Sequence, residues 1–473
     1  MTTAQDIWRP TVHFTPPTQW MNDPCGLVYW QGRFHLFYQY NPEDIHWGPM
    51  HWGHASSTDL LHWTDHPIAL SPDRKIGMAF TGSCVVDGEG LAAVYTGALP
   101  NPTLEVTLQQ QCIATSVDAS VWQPHGVVLE NPGIADFRDP KVVMHPDSRR
   151  WIMVLSATDE VYFYSSEDLR KWRYESRFGR GLGYSKGVWE CPDLFSLPVR
   201  GGEPGEELWV LVVHAGLGLP ADSAGAQYIV GSFDGTRFRP LMDDFRPVDH
   251  GHDFYAAQTW SNRPAGYQDG VWIAWAAHWA SSSATPQMVW RGTQTIPRTV
   301  QLWNDPEGSG YQLRQAAPPA LRHRRRVLQP HGSGRSYQVE QGRAIQVLIR
   351  GFTTAVVELS FGTAGTITVT HRGDTIMVDR STCDMGAFGS AVDQCKVVTV
   401  VARNTEERSI DLIFDRSILE CFFDDGRTVT TDLAFPRESL AEISVSRTGA
   451  PKGSPTTQVF TLEGTMTGRS GGS

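Results

Sequence analysis

Ser57-Thr58-Asp59-Leu60-Leu61-His62-Trp63 decides the fold because it recurs. The same Ser-x-Asp-x3-aromatic pattern stands at Ser116-x-Asp118-x3-Trp122, Ser166-x-Asp168-x3-Trp172 and Ser232-x-Asp234-x3-Phe238. Ser and Asp side chains bond neighbouring backbone N–H groups, so the pattern reads as a turn followed by a packing aromatic. Each copy follows two alternating apolar runs split by turn residues. These pairs are Gly26–Tyr40 around Gln31-Gly32, Ser83–Gly97 around Asp87-Gly88, Lys141–Ala157 around Pro146-Asp147, and Asp193–Ala215 around Gly201-Gly202. Ala256–Ala276, broken around Pro264-Ala265-Gly266, reads as a fifth hairpin. A four-stranded unit repeating every ~40–70 residues is the mark of a β-propeller. Five units fit residues 1–314; a series of β-sandwiches is the alternative.

Beyond the repeat, Leu321–Val327 (LRHRRRV) is a basic break, and residues 315–334 read as a linker. Residues 335–465 are again strand-rich, with turns such as Asp424-Asp425-Gly426, and read as a separate β-sandwich. Residues 466–473 read as a disordered tail. The expected fold is all-β: a five-bladed β-propeller followed by a C-terminal β-sandwich.

Composition supports this and excludes other classes. The chain has 473 residues, enough for several domains. It is 40% hydrophobic and 19% charged, which is a globular balance. Its net charge of −11 argues against nucleic-acid and anionic-membrane partners, which need a basic face. The 17 Trp suit core packing first and sugar stacking second. Seven Cys with no CxxC spacing argue against a disulfide framework or a zinc site, so free buried thiols are expected. No apolar targeting segment opens the chain, which suggests a cytoplasmic enzyme. Val271–Trp290 is too polar for a membrane span.

In a propeller the first strand of each blade lines the central channel, so residues entering those strands converge. The repeat puts Asp23, Asp139, Glu190 and Asp253 at such places, and Phe80-Thr81 in the second unit. Carboxylates crowded there cannot all ionise cheaply. One should act as an acid with a raised pKa while another stays ionised as nucleophile, the requirement for glycoside hydrolysis with retention. Glu190, between Trp189 and Cys191, has no cation beside it in sequence and reads as the acid. Asp139, next to Arg138, reads as the group that stays ionised. Other motifs carry less. His46, His51, His54 and His62 match no zinc spacing, Gly179-x-Gly181-x-Gly183 lacks a following helix, and no Gly-x-Ser-x-Gly elbow stands at a strand–helix turn.

The chain resembles glycoside hydrolase family 32, the invertases, inulinases, levanases and related fructosyltransferases. The resemblance rests on Trp20-Met21-Asn22-Asp23-Pro24, Phe37-Tyr38-Gln39-Tyr40-Asn41-Pro42, Arg138-Asp139-Pro140, Trp189-Glu190-Cys191-Pro192 and Asp253-Phe254-Tyr255-Ala256. It extends to His13-Phe14-Thr15-Pro16-Pro17, Trp47-Gly48-Pro49-Met50-His51, Ile296-Pro297-Arg298, Asp415-Arg416-Ser417 and Glu420-Cys421-Phe422. It implies a propeller plus sandwich, with Asp23 as nucleophile, Glu190 as acid/base and Asp139 as transition-state stabiliser. It further implies that Asn22, Gln39, Trp47, Phe80, Thr81 and Arg138 line a fructose pocket, with Trp20, Tyr255 and Trp279 around it. The implied substrates are sucrose and fructans such as inulin and levan. A fructosyltransferase making oligosaccharides or difructose anhydride, and an inactive fructan-binding protein, are the alternatives. No metal or cofactor is implied, and the oligomeric state, monomer or homodimer, is left open. Two positions depart from the family pattern: Cys25 stands where Asn is usual, and Thr81 where Ser is usual. Activity is expected to survive both.

Overall fold

The computed structural model describes residues 7–101, 106–184, 187–215, 225–264, 266–286, 288–305, 310–332, 335–401, 408–449 and 455–464. Alternating apolar runs form strands throughout these residues, and helix is confined to short pieces such as Trp279–Ser282 and Gly386–Ala391. The expected disordered tail, 466–473, lies outside the described residues. None of the described helices is long and apolar enough to cross a membrane.

The chain is a β-propeller followed by a β-sandwich. Gln19–Trp30, Arg33–Asn41, His51–Ser57 and Thr64–Leu70 pair in chain order in the first sheet. Met78–Asp87, Gly90–Asn101, Val106–Ser116 and Gln123–Leu129 form the second. Phe137–Met144, Trp151–Ala157, Glu160–Ser166 and Arg173–Phe178 form the third. The next group, Trp189–Arg200, Glu207–Ala215, Ala226–Phe233 and Phe238–Pro240, shares a nine-stranded sheet with Tyr255–Thr259, Gly270–Trp275, Arg298–Asp305 and Gly310–Ala316. The two groups merge because Val199 and Arg200 pair in parallel with Leu302 and Trp303. The strands thus follow the expected order, with one sheet where two separate units were expected.

The recurring turn is real in atomic detail. Asp59 Oδ1 accepts from the N–H groups of Leu61 and His62, and Ser57 Oγ accepts from those of Asp59 and Leu60. Asp118 and Asp168 accept the corresponding pairs from Ser120 and Val121, and from Arg170 and Lys171. Asp234 accepts from Thr236 and Arg237. The residue after each Asp is left-handed: Leu60, Ala119 and Leu169 near φ 60–68°, and Gly235 at 84°. Each turn joins the third strand of its group to the fourth.

The first strands of all groups meet along one axis, as their mutual hydrogen bonds show. Lys141 Nζ donates to the carbonyl of Thr259 at 2.8 Å and pairs with Asp193 at 2.9 Å. Ser83 Oγ accepts from Val142 N–H, and Ser261 Oγ reaches the carbonyls of Leu27 and Cys84. Lys141 and Asp193 are buried, and pairing offsets the cost of burying either charge alone.

The sandwich packs two six-stranded sheets. Their inner faces alternate as the strand period of two requires, with Ile345, Val347 and Ile349 in one core with Val357, Leu359, Ile367 and Val369. The segment expected as linker is structured. Pro319–Arg324 is a 3₁₀ turn, and Arg325–Val327 pairs with Thr456–Leu462 as an edge strand of the sandwich.

A buried ionic network binds the two parts. Arg298 pairs with Glu420 at 2.8 Å and Asp249 at 3.0 Å. His13 reaches Asp415 at 2.9 Å and Glu420 at 3.2 Å. Burial alone would lower the His13 pKa, but the two carboxylates push it up to about 9. The Ile-Pro-Arg, Asp-Arg-Ser and Glu-Cys-Phe motifs are therefore interface between the two parts.

Candidate active site

Every first strand carries one extra residue where it enters the channel. Three residues of the first strand span two of the second at Met21–Pro24, Ala79–Gly82, Arg138–Lys141, Glu190–Asp193 and Tyr255–Gln258. Such bulges re-aim side chains and leave a backbone group outside the ladder. Proline, which has no N–H, fits there, and Pro24, Pro140 and Pro192 occupy three of the five. Asp139, Cys191 and Ala256 adopt positive φ of 64°, 47° and 53° within their bulges. In the second, Gly82 is required by proximity: a Cβ there would lie 2.2 Å from the carbonyl oxygen of Val94.

The bulges bring Asp23, Thr81, Asp139, Glu190 and Tyr255 together. Thr81 Oγ1 donates to Asp23 Oδ2 at 3.0 Å. The Cys191 thiol lies 3.5 Å from that oxygen and 3.6 Å from Asp139 Oδ2, while Cys191 N–H donates to Asp139 Oδ2 at 3.0 Å. Arg138 donates to Glu190 Oε1 at 2.8 Å, and its Nε lies 3.8 Å from Asp139. Tyr255 OH donates to Glu190 Oε2. Three carboxylates are thus joined through one thiol and one guanidinium. Asp23 Oδ1 is buried and has no hydrogen-bond partner among the described residues.

Crowding and burial set the charges. Burial pushes Asp23 up to about 6 and the Glu190 charge adds to this, while the polar groups of Asn22, Thr81 and Cys191 beside it hold it down. Burial pushes Asp139 up to about 7, against the pull of Arg138, so Asp139 is not the carboxylate held most firmly ionised, contrary to what its neighbour in sequence implies. Burial and the neighbouring carboxylates push the Cys191 thiol well up, so it stays protonated.

Two expectations need correction. Asp139 was expected to hold Arg138 and Glu190 to stand free of cations. The guanidinium instead reaches across to Glu190 on the next group's first strand and lies farther from Asp139. Adjacency along the chain misleads because a long side chain spans two strands. Asp253, expected in the channel, points away from it. It bonds His252 and the backbone of Leu433, and lies 3.7 Å from Arg380 of the sandwich. The fifth strand's bulge begins two residues later, at Tyr255, so the channel receives a phenol there.

The remaining candidates surround the carboxylates. Trp20 Nε1 donates to Asn22 Oδ1 at 2.7 Å, and Gln39 donates to the carbonyl of Ala79 at 3.0 Å. Trp20 lies nearly parallel to Trp279, with ring centroids 6.4 Å apart. Trp279 is the partly exposed member of its pair, since Trp275, 4.9 Å away, is buried. Trp47 stands 46% exposed with its ring 6.1 Å from Phe80. Cys25 belongs to the core with Phe37, Trp52 and Cys84, and it also sits beside Asp23 and Gln39, so its departure from the family pattern lies directly behind the Asp23 carboxylate. All seven cysteines are buried, and none is joined in a disulfide. Sequence reasoning did not give Cys191 a role; its place inside the bulge that follows Glu190 was the available signal. It also missed Thr96, whose Oγ1 accepts from Asp139 N–H, and Asp136, which pairs with Arg138.

Comparison with known proteins bears on the family and the fold. Residues 13–317 match the family model described as "Glycosyl hydrolases family 32 N-terminal domain", and 354–462 match "Glycosyl hydrolases family 32 C terminal". A levanase of Bacillus subtilis is 36% identical over 91% of this chain and 67% of its own length. Invertase 2 of Saccharomyces cerevisiae is 38% identical over 62% of this chain, which spans 58% of that relative. The crystal structure of exo-inulinase from Aspergillus awamori superimposes with a TM-score of 0.84 at 29% identity, over 97% of this chain and 99% of that one.

Proposed function

The chain belongs to glycoside hydrolase family 32, and on that premise we propose that it hydrolyses β-fructofuranosidic bonds in sucrose and fructans, with retention and release of fructose. One observation carries the residue roles: three carboxylates meet in the channel, and the buried Asp23 has one oxygen held and one without a partner. Asp23 Oδ1 is the oxygen for attack on the anomeric carbon, while Thr81 and Cys191 fix the carboxyl through Oδ2. As the Asp23–carbon bond forms and the glycosidic C–O bond breaks, Glu190 gives a proton to the leaving oxygen. Water then attacks the fructosyl-enzyme, Glu190 takes its proton, and Asp23 leaves. Arg138 and Tyr255 orient Glu190 through its two oxygens. Asp139 stands beside the forming oxocarbenium-like charge and accepts sugar hydroxyls. Trp20, Trp47, Phe80 and Trp279 supply flat apolar faces for the ring.

Chromatography of products from sucrose, inulin and levan tests this, with Asp23→Asn as blank. Free fructose rising linearly from the start supports hydrolysis. Longer oligosaccharides or cyclic difructose without matching free fructose would make it a fructosyltransferase.

A further inference from the structure

We propose that Arg291, together with the indole N–H groups of Trp275 and Trp290, forms a binding site for one monovalent anion of halide size behind the Trp20 wall of the channel. Arg291 is 3% exposed. Its Nη2 donates to the carbonyl of Thr285 at 3.1 Å, but Nε and Nη1 are buried with no partner among the described residues. The ring N–H groups of Trp275 and Trp290 are likewise buried and unbonded. All three residues line one cavity of about 20 Å³, whose other walls include Trp20, Met288, Leu433 and Phe435.

That volume suits a single small occupant, since a water needs roughly 10–15 Å³. The chemistry selects an anion over water. The unbonded side-chain polar atoms on the described residues lining this cavity are all N–H donors, while the Thr285 and Ser282 hydroxyls already donate to carbonyls. Water accepts two hydrogen bonds and needs acceptors for its own two protons, whereas an anion accepts from every donor. Charge argues the same way. A guanidinium keeps its proton even when buried, and the acid acting on Arg291 is Asp44, whose side chain is 60% exposed and already bonded to His46. A buried cation without a close partner is costly, and an anion removes that cost. The site bears on the channel because Arg291 pairs in parallel with Trp20, three residues before Asp23. Gly292 presses on the same strand, where a Cβ would lie 2.0 Å from the Met21 carbonyl oxygen.

The test has two arms on the halide-free enzyme. Crystals soaked in sodium bromide are expected to show an anomalous peak at Arg291. Melting in sodium chloride or bromide, against sodium gluconate at equal ionic strength, is expected to show a saturable rise of ~1–3 °C with halide that Arg291→Met lacks. No bromide peak and identical melting in all three salts would overturn the proposal and leave a water-filled cavity. If Arg291→Met does not fold, the bromide map and the wild-type salt series decide alone.

Discussion

Thr81→Val removes one donor from Asp23 at almost constant shape, and its effect can be worked through. The Thr81 hydroxyl donates to Asp23 Oδ2 at 3.0 Å in a buried setting. Hydrogen bonds to charged groups contribute about 1.5–3 kcal/mol, and 1.36 kcal/mol corresponds to about one pH unit. The donor favours the ionised form, so losing it raises the Asp23 pKa from about 6 to about 7–8. Asp23 must be ionised to attack. At pH 6 its ionised fraction falls from about half to between a tenth and a hundredth, so kcat/KM there drops roughly 5–50-fold. At pH 8 the loss is at most about twofold from this cause. Asp139 and Glu190 couple to the same titration, so the observed limb belongs to the cluster. The assay is kcat/KM on sucrose or inulin from about pH 4.5 to 8.5, with Thr81→Ser expected to keep the wild-type limb. A Thr81→Val enzyme that is slower at every pH by the same factor, with its acid limb unmoved, would refute the reasoning.

Other consequences are checked more simply. Glu190→Gln should cost natural substrates orders of magnitude and activated leaving groups much less; equal losses on both would remove its acid role. Asp139→Asn should lower kcat more than it raises KM, as steady-state kinetics would show, because its charge acts on the transition state. The His13 pKa lies above its ordinary value, so its contribution is fully present below about pH 6.5 and is lost as pH rises through about 9. That loss is on the order of 3 kcal/mol. Chemical denaturation at pH 6 and pH 9.5 should show it, and His13→Gln should flatten the alkaline decline.

The sequence made the architecture readable because local chemistry repeats there. Each Ser-x-Asp turn satisfies its own backbone, so four copies are visible without knowledge of the fold. The channel carboxylates Asp23, Asp139 and Glu190 were readable for the same reason, since the repeat phase places them. What stayed hidden depends on contacts between distant segments. Asp253 shares the repeat phase, yet the sandwich supplies Arg380 and draws it away from the channel. Arg138 adjoins Asp139 in sequence but spends its shortest channel contact on Glu190, 52 residues on. The thiol of Cys191 gains its place between two carboxylates only when the first, third and fourth first strands converge. Arg325–Val327 looks like a basic tether until Thr456–Leu462 arrives to pair with it.

The central claim is that Asp23 forms a covalent bond to the fructosyl unit. It is tested most directly by mass spectrometry of the Glu190→Gln enzyme, acid-quenched during turnover of a fructoside with an activated leaving group and then digested. The account predicts one fructosyl unit on the peptide carrying Asp23, absent when Asp23 is also changed to Asn. An adduct on another residue, or none together with release of fructose of inverted anomeric configuration, would contradict it.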